Sequence, residues 1–319
     1  MGKIDLHSHY LPPAYLKVLA SLDAGGGLPD RVPIPDWDVE EHLKMMERQG
    51  ISATLLSISS PHVNFGNKEE AKALARNVNE YGADLVRRQP GKFGLLASLP
   101  LPDVEDSILE IQYALDVLHA DGFTLPTNAR GVYLGDPRLD PIFEGLNARK
   151  AVAVFHPNKP SAVPDGVAEG LPIPFMEFFF DSTRMAVNLM MKGILVRFPE
   201  IRFVIPHAGA FLPILIDRVN AYYKAMSAVK INVYEQLKRF YFDVAGMCLP
   251  RQLADLVQLV DVGHLFYGSD YPYTSEIGVR LLAERLDKTT LFTGEQRLAV
   301  YSGNALRLFP RLGQLVDSL

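Results

Sequence analysis

Two histidines stand one residue apart near the start of the chain, in Ile4-Asp5-Leu6-His7-Ser8-His9. On an extended strand, residues i and i+2 point to the same side, so this pair can offer two imidazoles to one metal ion. A short His-x-His sequence also arises by chance and gains weight only from company. Three further polar residues follow short apolar runs in the same manner: His156 after Val152-Ala153-Val154-Phe155, His207 after Val204-Ile205-Pro206, and Asp270 after Leu265-Phe266-Tyr267 and the turn Gly268-Ser269. Taken singly, each has an ordinary reading. His156 could close a strand, His207 could enter a helix, and Asp270 could be a turn aspartate before Tyr271-Pro272. Taken together, three imidazoles and one carboxylate drawn from this set suit zinc, and also manganese, iron or cobalt. His42, His62, His119 and His264 have no such placement and read as structural or surface residues.

Chemistry of this kind needs a frame that brings distant residues to one point. Eight short strand candidates recur along the chain, near Lys3–Leu6, Ala53–Ser57, Phe93–Ser98, Gly122–Leu125, Ala151–Phe155, Ile201–Ile205, Phe240–Val244 and His264–Tyr267. Most are apolar or β-branched, as strands buried on both faces are. Helical spacing fills the stretches between them. Val39, Leu43, Met45 and Met46 form one apolar stripe behind a capping Asp38, and Ile108, Ile111, Leu115 and Leu118 form another, with Ser107 near its start. Repeated strand–helix order leaves a closed barrel or an open doubly wound sheet. Eight units in this length favour a single (β/α)8 TIM barrel spanning residues 1–319. No Gly-x-Gly-x-x-Gly follows an early strand, which weakens the dinucleotide-binding alternative. In a barrel the C-terminal strand ends carry the active site, and all five polar residues fall there. The fourth strand, Gly122-Phe123-Thr124-Leu125-Pro126, ends without an acidic residue or a lysine that could bridge a second ion, so one divalent ion is expected. The Pro- and Gly-rich stretch from Ala24 to Pro35, with Gly25-Gly26-Gly27, reads as a loop excursion over the barrel mouth or as a plain surface loop.

Composition narrows the rest. The chain has 319 residues, is 48% hydrophobic and carries a formal net charge of -5 spread along its length. That is ample for a large core and lacks the basic stripe that nucleic-acid binding needs. Cys248 is the only cysteine, which excludes an intrachain disulfide and fits a reducing, cytoplasmic compartment. The polar start, Met1-Gly2-Lys3-Ile4-Asp5, does not read as a signal peptide. The longest apolar stretch, Phe175 to Pro199, is broken by Glu177, Asp181, Arg184, Lys192 and Arg197, so it reads as a buried amphipathic helix, and no membrane partner is expected.

Several segments carry a more specific likeness. Ile4-Asp5-Leu6-His7-Ser8-His9, Gly131-Val132-Tyr133-Leu134-Gly135-Asp136-Pro137, Val154-Phe155-His156-Pro157, Phe198 to Gly209 and Tyr267-Gly268-Ser269-Asp270-Tyr271-Pro272 span the chain. Together they resemble the amidohydrolase-related superfamily, in the branch of aminocarboxymuconate-semialdehyde and salicylate-type decarboxylases, including 6-methylsalicylate decarboxylase. Gly303-Asn304-Ala305-Leu306-Arg307-Leu308-Phe309 resembles the closing C-terminal helix of that family. The resemblance implies that His7, His9, His156 and Asp270 hold the metal, zinc first, with no organic cofactor. It implies that His207 is catalytic, and that Arg218 binds a substrate carboxylate from the neighbouring subunit of a homodimer. The chain departs from the muconate enzyme in two places. Asn158 stands where that branch has tryptophan, and Asn220-Ala221-Tyr222-Tyr223-Lys224 lacks a second arginine. A monocarboxylic aromatic acid is therefore expected in preference to the dicarboxylate semialdehyde.

The expected chemistry is non-oxidative decarboxylation of a small aromatic or unsaturated acid. Asp270 would carry a proton to carbon, His207 would activate a water or a substrate hydroxyl, and Arg218 would hold the carboxylate by a forked contact. Trp37 and Tyr273 are candidates to stack on the ring, Trp37 having an alternative place in the core. The rival reading is hydrolysis of a lactone, ester or amide, with Asp270 as base and nearly the same site residues.

Overall fold

The computed structural model describes residues 2–164, 166–167, 170–226 and 231–312. The strands of the barrel are β1 (Lys3–His9), β2 (Ile51–Ser57), β3 (Phe93–Ser98), β4 (Gly122–Pro126), β5 (Val152–His156), β6 (Arg202–Ile205), β7 (Tyr241–Asp243) and β8 (Leu265–Phe266). Each pairs in parallel with the next in chain order. The ring closes just beyond β8. The Leu6 N–H donates to the Tyr267 carbonyl at 2.9 Å, the His9 N–H donates to the Tyr271 carbonyl at 2.8 Å, and Ser8 bridges Tyr271 in parallel. The eight strands expected from the apolar runs are all present. A two-strand hairpin, Asn128–Ala129 with Val132–Tyr133, follows β4 and turns at Gly131, whose φ of 82° suits a residue without a side chain.

Two apolar layers result. Inside the barrel, Ile4, Leu6, Leu55, Leu96, Val154, Val204 and Phe266 pack together, and Ala305, Phe309 and Leu312 of the C-terminal segment join them. The helix Asn304–Leu308 is thus the plug of the barrel interior, and the Asn304 side-chain amide ties it to the carbonyls of Val262 and Leu265. The larger layer lies between strands and helices and includes Phe93, Phe123, Phe143, Phe155 and Phe203.

The helices start where their caps dictate. Asp38 accepts from the Glu41 N–H ahead of α1 (Val39–Gln49), Asn67 caps α2 (Lys68–Arg88), and Asp103 caps α3 (Val104–Asp116). The apolar stretch after residue 175 forms α4 (Glu177–Met191), which buries Phe178, Asp181, Met185, Leu189 and Met190. No helix among the described residues is long and apolar enough to cross a membrane.

One irregularity in β1 matters for function. From Asp5 to Ser8 the strand opposes only Thr54 to Leu56 of β2, so it carries one extra residue. Such a bulge changes which residues face inward. Below it Ile4 and Leu6 point into the apolar interior, and above it His7 and His9 do.

Candidate metal centre

The four residues at the ends of β1 and β5 and beyond β8 converge. One donor atom from each of His7, His9, His156 and Asp270 lies within 4.8 Å of all the others. The His9 Nε2 is 3.2 Å and the His7 Nε2 3.5 Å from Asp270 Oδ1. The three rings meet nearly edge to face, with centroids 4.7 to 5.4 Å apart.

The far nitrogen of each ring is tethered, which leaves the near one aimed inward. His7 Nδ1 is 2.9 Å from Asp243 Oδ2, His9 Nδ1 is 3.1 Å from Ser57 Oγ, and His156 Nδ1 is 2.8 Å from the Pro157 carbonyl. A metal-binding histidine characteristically donates its other N–H to a carboxylate or carbonyl in this way. The His7 Nε2 is buried and meets no partner nearer than the Asp270 carboxylate at 3.5 Å, as expected of a nitrogen that awaits a cation. The donor set therefore fits one divalent ion.

The charges agree. Burial opposes an imidazolium at His7, but the Asp243 and Asp270 carboxylates outweigh it and hold the ring well above the usual histidine range. Burial and the neighbouring rings push His156 well below that range. Burial also opposes ionisation of Asp270, yet hydrogen bonds from His207, His7 and His9 keep it well below the usual carboxylate range.

His207 stands beside the cluster. Its Nε2 is 4.0 Å from Asp270 Oδ2, its ring stacks on Phe179 with centroids 5.5 Å apart, and its Nδ1 is buried without a partner. His207 and Asp270 both have left-handed backbones, with φ of 54° and 60°. For residues other than glycine that conformation is costly, and it persists where surroundings enforce it, often at active sites. Here the Asp243 Oδ1 accepts the His207 N–H, and the Gln252 side-chain amide donates to the His207 and Ala210 carbonyls.

The comparisons with known proteins agree with this geometry. The sequence profile described as Amidohydrolase matches residues 4–311. The chain belongs to the amidohydrolase family. It is 34% identical to the decarboxylase yanB of Aspergillus niger, over 99% of this chain and 90% of that one. It is also 34% identical to the 6-methylsalicylic acid decarboxylase of Penicillium expansum, over 99% of both. A crystal structure named amidohydrolase II is 43% identical and superposes with a TM-score of 0.92 over 97% of this chain and 99% of that one. The dihydroxybenzoic acid decarboxylase of Polaromonas, solved with manganese and 2-nitroresorcinol, shares the fold at 22% identity, with a TM-score of 0.83 over 97% of both chains.

In this amidohydrolase the cluster opens into a cavity of about 660 Å³. His156, His207, Asp270 and Tyr273 line it, and Tyr273 meets the His9 ring edge to face at 5.6 Å. The excursion from Ala24 to Pro35 also lines it, through Leu28, Asp30, Val32, Pro33 and Ile34, so this segment does reach the mouth. Trp37 is not among the lining residues. Its indole N–H donates to His42 Nδ1 at 3.0 Å, and its ring meets Tyr10 edge to face. The other nitrogen of His42 is 3.3 Å from Ser8 Oγ, and burial pushes this imidazole down to about 3, so it is neutral and supports β1 from behind. Arg218 is exposed on α5 (Leu212–Met226), with its guanidinium carbon 4.7 Å from the Tyr222 ring centroid, and it does not line the cavity of its own chain.

Two buried carboxylates escaped the sequence reading. Asp243, at the end of β7, joins His7 to the backbone of His207. Asp5 accepts from the N–H groups of His7 and Ser269 and so locks the two ligand-bearing segments together. The signal for both was a lone acidic residue within an apolar strand.

Proposed function

We propose that this amidohydrolase is a metal-dependent, non-oxidative decarboxylase of a monocarboxylic aromatic acid of the salicylate type. The observation that carries the reading is the convergence of His7, His9, His156 and Asp270 at the floor of an apolar cavity, with His207 beside Asp270. The likeness to decarboxylases along nearly the whole chain supports the choice of reaction.

His7, His9, His156 and Asp270 would hold the ion, zinc by its ligand set, with manganese the alternative favoured by the Polaromonas enzyme. A divalent ion there supplies a Lewis acid that orients the acid's oxygens. In the reaction the bond between ring carbon and carboxyl carbon breaks, its electron pair stays on the ring carbon, that carbon takes up a proton, and CO2 leaves. Asp270 carries that proton. Its Oδ2 is 4.0 Å from His207 Nε2 and accepts from Thr274 Oγ1 at 3.2 Å, which supports a proton path from the histidine through this oxygen. His207 exchanges the proton with Asp270 or with the substrate hydroxyl, held in place by Phe179 and its clamped backbone. Tyr273 flanks the substrate on the His9 side.

The reading extends to assembly. Ile214, Arg218 and Tyr222 lie one turn apart on one face of α5, and Ile214 and Tyr222 are 70% and 55% exposed. A groove lined by Phe180, Val187, Met191 and Phe211 adjoins Ile214. A homodimer that covers this apolar face would bring Arg218 to the partner's cavity, where a forked contact could hold the substrate carboxylate. The lone, buried Cys248 is in keeping with a cytoplasmic enzyme.

The test is CO2 release from a panel of hydroxybenzoates by enzyme loaded with zinc or manganese. Release that stops on chelation and returns with metal is expected. Acid products without CO2 from lactones or esters would replace this reading with hydrolysis.

A further inference from the structure

Resting on the decarboxylase reading, we propose that the cavity is built for an aromatic acid with a single carboxylate and an extended apolar substituent, an alkyl chain of several carbons or a second ring.

Size is the first observation. The cavity measures about 660 Å³, whereas an apolar cavity of about 150 Å³ is enough to lodge benzene. A compact single-ring acid seated at the metal would leave most of the space unfilled.

The lining is the second. Leu19, Leu28, Ile34, Phe175, Phe178 and Met247 are among the residues that form its walls. Phe175 and Met247 stand 67% and 57% exposed, so the apolar surface continues to the rim. Large apolar groups left open to water around a cavity mark surface that a ligand covers.

Charge is the third. No lysine or arginine is among the described residues that line the cavity, so a second carboxylate on the substrate meets no cation in its wall. It would instead meet Asp30, which is 6% exposed and has one carboxyl oxygen without a partner. Burial pushes the Asp30 carboxyl up to about 6, against the opposing pull of the Ser60 hydroxyl and Lys159, so at neutral pH it is largely an anion and repels another.

The experiment measures kcat/KM for CO2 release by metal-loaded enzyme over salicylates with hydrogen, methyl, propyl or pentyl at ring carbon 4, 5 or 6, with 4-carboxysalicylate as the doubly charged member. At one ring position kcat/KM should rise roughly twofold to fourfold per buried methylene through pentyl, and the carboxy compound should fall below salicylate. Ile34→Trp, which fills part of the apolar wall, should lower the ratio of pentyl to methyl turnover. A flat or falling series beyond methyl at all three positions would overturn the proposal. Equilibrium binding of phenol and 3-pentylphenol, run in parallel, separates the two readings. Tighter binding of pentylphenol with no CO2 from any acid would uphold the cavity's preference and overturn decarboxylation. CO2 release without any gain from chain length would do the reverse.

Discussion

At the floor of the cavity the histidines are buried and held in place. His7 is held by Asp243, His9 by Ser57, His156 by the Pro157 carbonyl, and His207 by backbone bonds to Asp243 and Gln252. The roof is different. Leu28, Val32 and Ile34 come from a stretch without regular structure, and Phe175 comes from a short 3-10 turn. The Ile173 N–H joins the two by donating to the Asp30 carbonyl at 2.9 Å. Floor residues stand on strand ends, whose positions eight neighbouring strands fix, whereas roof residues stand on connections that can vary without disturbing the barrel. On the proposed function, the reaction belongs to the floor and the choice of substrate to the roof.

Substitutions at the floor should break this contrast most severely. His7→Ala with His9→Ala removes two of four donors. Metal analysis should then show a fall from one ion per chain to none, with CO2 release abolished. A full complement of metal in this double variant would place the ion elsewhere. Next in size is His207→Ala, which leaves His7, His9, His156 and Asp270 intact. Metal content should stay at one per chain while kcat drops about a hundredfold to ten-thousandfold, the range for a lost general acid or base. Loss of metal together with activity would make His207 a ligand and not an acid–base group.

Asp243→Asn should have a smaller effect. It keeps an acceptor for the His207 and Ala245 N–H groups but removes the charge behind His7. Titration against a competing chelator should show metal affinity weakened about tenfold to a hundredfold. Unchanged affinity would reduce Asp243 to a structural tie. The smallest effect is expected at Arg218, which belongs to neither floor nor roof of its own chain. Arg218→Ala should raise KM about tenfold, a loss of roughly 1.4 kcal/mol of binding, with metal content and kcat nearly constant. Light scattering should show a dimer, and a fully active monomer would contradict a role across the subunit boundary.

The floor was far more legible in the sequence than the roof. Each barrel strand announces itself as a short apolar run because it is buried on both faces, and the candidate ligands follow those runs closely. The largest shortfall at a strand end is in β1, expected to stop at Leu6 and found to run to His9. The polar His7-Ser8-His9 hides a strand that continues pairing with β2 through its bulge. Asp243 went unnoticed because its partner, His7, lies 236 residues away, a contact that only barrel closure creates. Trp37 had two places open to it, on the substrate ring or in the core, and a part-buried indole N–H needs an acceptor, which His42 on α1 supplies behind β1. The roof follows no periodic pattern, so its sequence reads equally well as a lining segment or as a plain loop. Arg218 keeps its distance from the cavity within one chain, so its proposed role depends on a partner.

The central claim is that this metal centre removes CO2 and returns a proton to carbon. Metal-loaded enzyme turning over an alkylsalicylate in heavy water tests it in one mass spectrum of the product. The account predicts a phenol with one deuterium at the carbon that lost CO2, formed one for one with the gas. Product that keeps its carboxyl group and gains labelled oxygen from water, with no deuterium on the ring, would contradict it.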